Sequence, residues 1–431
     1  MNTYSSYKGS GVEWIGEIPS GWDTIKCGYL FRVVSLKNNI GEQNLSVYRD
    51  YGVIQRDSRD DNHNRVSEDI SNYKLVDVGN FVFNKMKCWM GSLGVSKFRG
   101  IVSPSYTVCE TTQPFDGKYL HHLLRSKLYI QEFESLSYGV RVGQWELRFH
   151  DFRDILSVFP PLQEQQQISN YLDHKTQQIE SLIEKTQQKI ELLKEQRISL
   201  INQVVTKGLN PDVEMKNSGV EWIGEIPSGW DTIRIKYITS DHRQGYYSSS
   251  PYDDNGYRVV RITDINDNHS INIDNSPSYN LEQLDYERFK LEKGDFLFPR
   301  TGGVGRFGVF DSSIESIYGS FLIRFRFNHL IKGGLLKYLF ESDIYLGQIK
   351  SEIHGGVNQN VHVENIKECY IPITSPTEQQ QIVDYLDKET TKIDSTIEKE
   401  TQRIDLLKEY RQSLISEVVT GKVDIRDEVL V

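Results

Sequence analysis

The chain has 431 residues, 38% of them hydrophobic and 26% charged, which predicts a soluble protein of two or more domains and excludes a disordered polymer. A formal net charge of −10 counts against a freestanding nucleic-acid binder, whose basic groups must then be gathered on one face or supplemented by a partner. Cys27, Cys88, Cys109 and Cys369 show no paired spacing, no apolar run reaches the roughly 20 residues that span a bilayer, and residues 1–11 lack the pattern of a secretion signal; a disulfide scaffold, a zinc module and a membrane span are excluded, and a cytoplasmic protein is predicted.

In chain order, the first feature is SGVEWIGEIPSGWDTI at residues 10–25, which returns letter for letter at 218–233. Its tryptophans, Trp14, Trp22, Trp222 and Trp230, are expected to be packing anchors that seat each block in one pose. The runs NFVFN and GIVSPSYTVCE predict short strands, and GKYLHHLLRSKLYIQEFESLS at 117–137 has helical spacing. Prolines in FPPLQ then announce a long helix over 161–209, followed by a polar linker at 210–217. The second copy repeats the plan: a lead segment from 218, strands in YRVVRIT, GDFLFP and FLIRFRF, helical spacing at 333–353, and a second long helix over 376–422 before a tail at 423–431. Residues 164–208 and 378–422 are closely similar, whereas the blocks 1–160 and 218–375 have diverged, apart from an echo between VGNFVFNK and KGDFLFPR. A repeated frame carrying two different recognition surfaces is the economical reading.

Both long helices carry heptads. Leu172, Ile179, Thr186, Leu193 and Leu200 repeat beside Thr176, Ile183, Ile190, Arg197 and Val204; the second copy has Leu386, Ile393, Glu400, Leu407 and Leu414 beside Thr390, Ile397, Ile404, Arg411 and Val418. A helix of this length projects roughly 65 Å at 1.5 Å per residue, more than one small domain can cover. The two are therefore expected to pair as an antiparallel intramolecular coiled coil. Matching Arg197 with Glu400 sets a register that also opposes Thr186 and Arg411 and leaves the other layers apolar. A slide of one heptad toward fuller overlap would put Arg197 against Ile393 with its charge unpaired.

The duplicated W-IGEIP-GW segment, the helix starts PLQEQQQI at 161–168 and PTEQQQI at 376–382, and the helix ends QVVTKG and EVVTGK closely resemble the specificity subunit of type I restriction–modification systems, across essentially the whole chain. The resemblance implies an α+β fold in which two mixed α/β target recognition domains are joined by two long helices in an antiparallel coiled coil, with pseudo-twofold symmetry. It also implies host defence as the role: each domain reads one half of a bipartite site in double-stranded DNA, and the helices set the spacer and dock two methyltransferase and two restriction/translocase subunits. S-adenosylmethionine, ATP and Mg are expected on those partners and no cofactor on this chain. The rival reading is a non-DNA coiled-coil adaptor carrying two divergent ligand-binding domains, which would lack methyltransferase partners.

No catalytic constellation is legible. PDVEMK at 211–216 is too compact for a nuclease metal site, TGGVGRFG at 301–308 lacks the Gly-Lys-Ser/Thr of a phosphate loop, and His121 with His122 sits in an amphipathic helix without further ligands. Candidate base-reading groups are cations and amides near glycine and aromatics, because Arg and Lys suit guanine and Asn and Gln suit adenine. They are Lys85, Lys87, Trp89, Arg141 and Gln144 in the first block, and Arg243, Gln244, Tyr246, Arg300, Arg306, Asn358, Gln359 and Asn360 in the second.

Overall fold

The computed structural model describes every residue except 1, 50, 59–66, 68, 140–144, 249, 250, 254, 302, 304, 353–359 and 429–431. Two compact units emerge, residues 1–187 with 401–431, and residues 188–400. Each holds one variable block and a length of both long helices.

The first unit is organised around an antiparallel sheet in the order Phe31–Val34, Tyr106–Thr111, Phe81–Asn84, Leu93–Val95. Its strand Phe81–Asn84 is apolar at consecutive positions because both faces are covered. Phe81 and Phe83 pack with Phe31, Phe152 and Leu120 on one side, and Val82 packs with Leu45, Val47, Val76 and Val108 on the other. The helical stretch expected over 117–137 is two helices, Gly117–Leu124 and Lys127–Leu136, the first capped by Asp116, whose carboxylate accepts the Tyr119 N–H at 2.8 Å. The second unit repeats the sheet as Thr239–Gln244, Leu322–Phe327, Phe296–Pro299, Gly308–Val309, and again splits its helical stretch, into Gly333–Glu341 and Asp343–Glu352. A further sheet there pairs Tyr257–Val260 with Ser278–Tyr279 and, in parallel, with Ser316–Tyr318. All four cysteines are free and buried, and burial pushes the Cys109 thiol up to about 12, so it carries no reactive thiolate.

The repeated lead segment docks each block at a corner of the helix pair. Asp23–Lys26 pairs with Leu156–Phe159, the strand that runs into the first long helix, Leu162–Lys207. Trp22, 1% exposed, closes on Gly421 just past the second long helix, Pro376–Val419, where a Cβ would lie 3.0 Å from the indole. In the second unit Asp231–Arg234 pairs with Tyr370–Ile373, the strand leading into the second long helix. Trp230 closes on Gly208 past the end of the first, and its Nε1–H donates to Glu378 Oε2 at 2.9 Å. Both glycines have φ of +72°, the left-handed helix terminus that favours glycine. Trp14 packs edge-on against Tyr129 at 4.9 Å, but Trp222 is 49% exposed and lies over the Gly347 backbone, so the four tryptophans are not equivalent anchors. Part of the stretch read as linker, Met215–Asn217, is a strand paired with Glu225–Pro227. Its counterpart Tyr7–Gly9 pairs with Glu17–Pro19. Val423 and Ile425 are buried, and the Asp424 N–H donates to Asn2 O at 2.8 Å.

Within each unit the long helices pack on the core through their seam residues, Leu172, Ile179, Leu414 and Val418 in the first and Val204 and Leu386 in the second, where Ile382 beside the seam is also buried. The expected polar pairing is displaced. Glu400 meets Lys189 at 2.6 Å, Arg411 meets Glu180 at 2.9 Å, and Arg197 Nε lies 2.9 Å from Asp394, near enough to pair but not aligned as a hydrogen bond. The register is thus slid about one heptad toward fuller overlap, the alternative that was expected to strand Arg197. It is not stranded, because its long stem carries the guanidinium out of the seam to donate to Glu341 at 2.7 Å. Glu341 is 2% exposed side chain on the variable block, an acceptor invisible to helix-only reasoning. Burial opposes the Arg197 charge, and Glu341 followed by Asp394 more than restores it. Thr186 needs no partner helix, since its hydroxyl donates to Leu182 O at 2.7 Å.

Candidate nucleic-acid interface

In the first unit the candidate surface grows from the end of strand Phe81–Asn84. The Asn84 side chain accepts the Met86 N–H at 3.0 Å, buried Cys88 pins the turn, and Gly91 closes it with φ of 92°. Lys87 is left exposed, with Lys85 and Trp89 half-buried. The Trp89 indole donates to Met86 O at 3.0 Å and lies 5.1 Å from the Trp145 ring. The Leu147 N–H donates to Lys85 O at 3.0 Å, and Tyr138 bridges Glu146. The two stretches nominated from sequence, around 84–89 and around 138–145, therefore come together. Arg141 and Gln144 themselves lie outside the described residues.

Sequence reasoning missed several groups beside them. Arg148 stacks over the Tyr138 ring at 4.9 Å. The Lys74 ammonium donates to Tyr106 O at 2.5 Å, and its pKa is lowered by burial and then by Lys85 and Lys37. Two cations close enough to disfavour the Lys74 charge make this a locally positive stretch on an acidic chain. They are spread over residues 37–85, so no charge run announces them.

The second unit builds the equivalent surface. Arg300 follows strand Phe296–Pro299 as Lys85 follows Phe81–Asn84. Its carbonyl accepts the Val361 N–H at 2.8 Å, and Thr301 bridges Asn360, which is exposed. The Arg300 N–H donates to Phe321 O at 2.9 Å, and Gln244 Nε2 donates to Ser320 O at 3.1 Å. The loop 318–322 thereby gathers Gln244, Arg300 and Asn360. Two other nominees point elsewhere: Arg243 donates to Arg288 O at 2.8 Å and Arg306 to Ile265 O at 2.7 Å, each holding a backbone carbonyl. Tyr246 packs edge-on against Tyr279 and Phe289 at 5.8 and 5.4 Å, a wall more than a free probe. Asn358 and Gln359 lie outside the described residues. Exposed aromatics that the sequence reading passed over, Tyr247, Tyr252 and Phe321, surround this loop.

Among the described residues, no group of three or more His, Cys, Asp or Glu side chains could hold a metal ion, and no helix is long and apolar enough to cross a membrane. PDVEMK contributes to the Met215–Asn217 strand, and TGGVGRFG leads into the Gly308–Val309 strand. His122 Nε2 lies 2.9 Å from Asp173, and Lys118 takes that carboxylate's other oxygen at 2.6 Å, holding Asp173 well below the usual carboxylate range. This cluster clamps the helix Gly117–Leu124 to the first long helix.

Comparison with known proteins places these features in context. The family model described as the type I restriction modification DNA specificity domain matches residues 19–192 and 227–409. The chain is 21% identical over 424 residues to the type I restriction enzyme MjaVIII specificity subunit of Methanocaldococcus jannaschii, covering 95% of each chain. It is 23% identical over 325 residues to the EcoBI specificity subunit of Escherichia coli, covering 72% of this chain and 66% of that one. Among solved structures, a chain from a study of complex assembly in a type I R-M system aligns with a TM-score of 0.72 at 16% identity, over 94% of this chain and 99% of that one. The HsdS subunit of Thermoanaerobacter tengcongensis aligns at 0.52, also at 16% identity, over 94% of this chain and 98% of that one.

Proposed function

The chain belongs to the type I restriction–modification DNA specificity family, as the specificity subunit of such a system, and from that premise we propose that each unit reads one half of a split duplex target. The observation that carries this reading is the duplicated surface. Lys85 with Lys87 in one unit, and Arg300 in the other, follow the equivalent sheet strand and meet the segment returning to a long helix, on which Asn360 lies in the second unit. Equivalent positions hold different residues, which is what two readers of different sequences on one frame require.

The chain recognises, and its partners do the chemistry. Two methyltransferase subunits would supply S-adenosylmethionine-dependent methylation, two restriction/translocase subunits would supply ATP- and Mg-dependent translocation and cleavage, and the assembly would work in the cytoplasm. The long helices serve as the ruler for the unread spacer. The acidic balance fits, since partners that share the duplex also share the phosphate contacts.

Single-molecule methylation mapping of DNA tests this, comparing cells that express the chain with its neighbouring methyltransferase against a deletion of the chain. A new bipartite motif with N6-methyladenine in both halves and a fixed spacer is expected. Active methyltransferase without a new motif would favour the adaptor reading.

A further inference from the structure

The second unit contains a cavity of roughly 390 Å³ beside its candidate reading surface. Its walls are aromatic. Tyr252 lies against Tyr279 at 4.9 Å with planes 31° apart, Tyr246 meets Tyr279 edge-on, and Phe321 stands at the mouth. Gly245 lets two backbone segments come into contact beside this site: a Cβ there would fall 2.2 Å from Gly319 O, so no other residue fits. Phe321 is 64% exposed and Tyr252 54% exposed, which leaves a concave aromatic surface facing water.

The polar groups select among ligands. Arg261 lines the cavity, but its guanidinium is held by Asp264 through two bonds of 3.2 and 2.8 Å. A phosphate entering would find that charge already neutralised. A flat, uncharged ring would find π-faces, with Ser320 among the lining residues as a polar neighbour for its edge. The Ser320 and Phe321 carbonyls are those held by Gln244 and Arg300, so the cavity opens where the second half-site is read.

We propose that this cavity takes one unstacked nucleobase of the second half-site, drawn from the duplex in addition to the adenine presented to the methyltransferase. The proposal rests on the DNA-reading function above. It assigns to Tyr252, Tyr279 and Phe321 a recognition role that involves no chemistry on the base: the duplex stack is exchanged for a protein stack, at an unpairing cost of a few kcal/mol that differs with the base pair opened. Discrimination at that position then comes from the cost of opening and the fit of the ring as well as from groove contacts.

The test uses the complex of this chain with its methyltransferase on a duplex carrying the motif found by methylation mapping. Permanganate, diethyl pyrocarbonate and methoxyamine modify thymine, purine and cytosine that have lost their stacking or pairing, so the natural target sequence can be probed without base analogues. One reactive pair in the second half, other than the methylated adenine and its partner, is expected. Phe321→Ala and Tyr252→Ala should each abolish that reactivity and weaken binding on the order of tenfold, while reactivity at both methylated adenines persists. Reactivity confined to the methylated adenine pairs, or an extra reactive pair indifferent to both substitutions, would overturn the proposal. If the wild-type complex fails to bind the duplex at all, the reading function falls and the assigned ligand with it. Both side chains are exposed, and intact first-half recognition in the variants reports that they are folded.

Discussion

Arg197 and Arg411 occupy equivalent positions in the two copies yet stand in different environments. Arg197 is 17% exposed and faces Glu341, which is 2% exposed; Arg411 is 31% exposed and faces Glu180, which is 60% exposed. Removing one partner of a buried pair leaves an uncompensated charge, whereas an exposed pair is screened by water. Arg197→Ala should therefore cost about 3 kcal/mol and Arg411→Ala less than about 1 kcal/mol, as read from urea midpoints at unchanged m-value. Equal costs would show that Glu341 is not held by Arg197. His121 offers a second test. Burial, followed by Arg125, His122 and Lys97, pushes its imidazole well below its ordinary value, so the folded state resists a proton that the unfolded state accepts. Its contribution is complete above the unfolded value of about 6.5 and declines as pH falls below it. The protection factors of amides in the helix Gly117–Leu124, corrected for the base-catalysed intrinsic exchange rate, should fall from pH 7 to 5, and His121→Gln should flatten that dependence.

At the scale of elements, most of the plan was legible because it rests on local rules. Alternation and apolar runs marked the strands at 81–84, 296–299 and 322–327, and the heptads marked two helices, found at Leu162–Lys207 and Pro376–Val419. What failed was whatever depended on a third element. The helix register was argued from two faces alone, and the decisive partner of Arg197 came from the helix Gly333–Glu341. The breaks at Ser126 and Ser342, where each helical stretch restarts, gave no proline or glycine signal. At the candidate surface, the pattern of cations near glycine picked loops that the fold brings together, since 84–89 meets 145–147 and 300–301 meets 360–361. It could not separate Arg300 from Arg243 and Arg306, which differ only in the carbonyls they find after folding. The helices also carry a direct prediction. Inserting one heptad into each, in register, adds about 10 Å of helix, and the mapped motif should gain about three base pairs of spacer with both halves unchanged. A changed half-site would mean that the helices do more than measure distance.

At the scale of the whole chain, duplication explains both what is alike and what is not. Identical lead segments set each block at a junction of helix start and helix end, through Trp22 at Gly421 and Trp230 at Gly208. The same sheet order in both units then delivers each candidate loop at the same place, and the residues on those loops differ. The central claim is that recognition divides between the units. The measurement that tests it most directly is methylation mapping with Lys87→Ala and, separately, Arg300→Ala in the chain. A lost base contact removes about 1–3 kcal/mol of discrimination, so the first variant should relax the first half of the motif alone and the second variant the second half alone. Both halves relaxing together in either variant would contradict it.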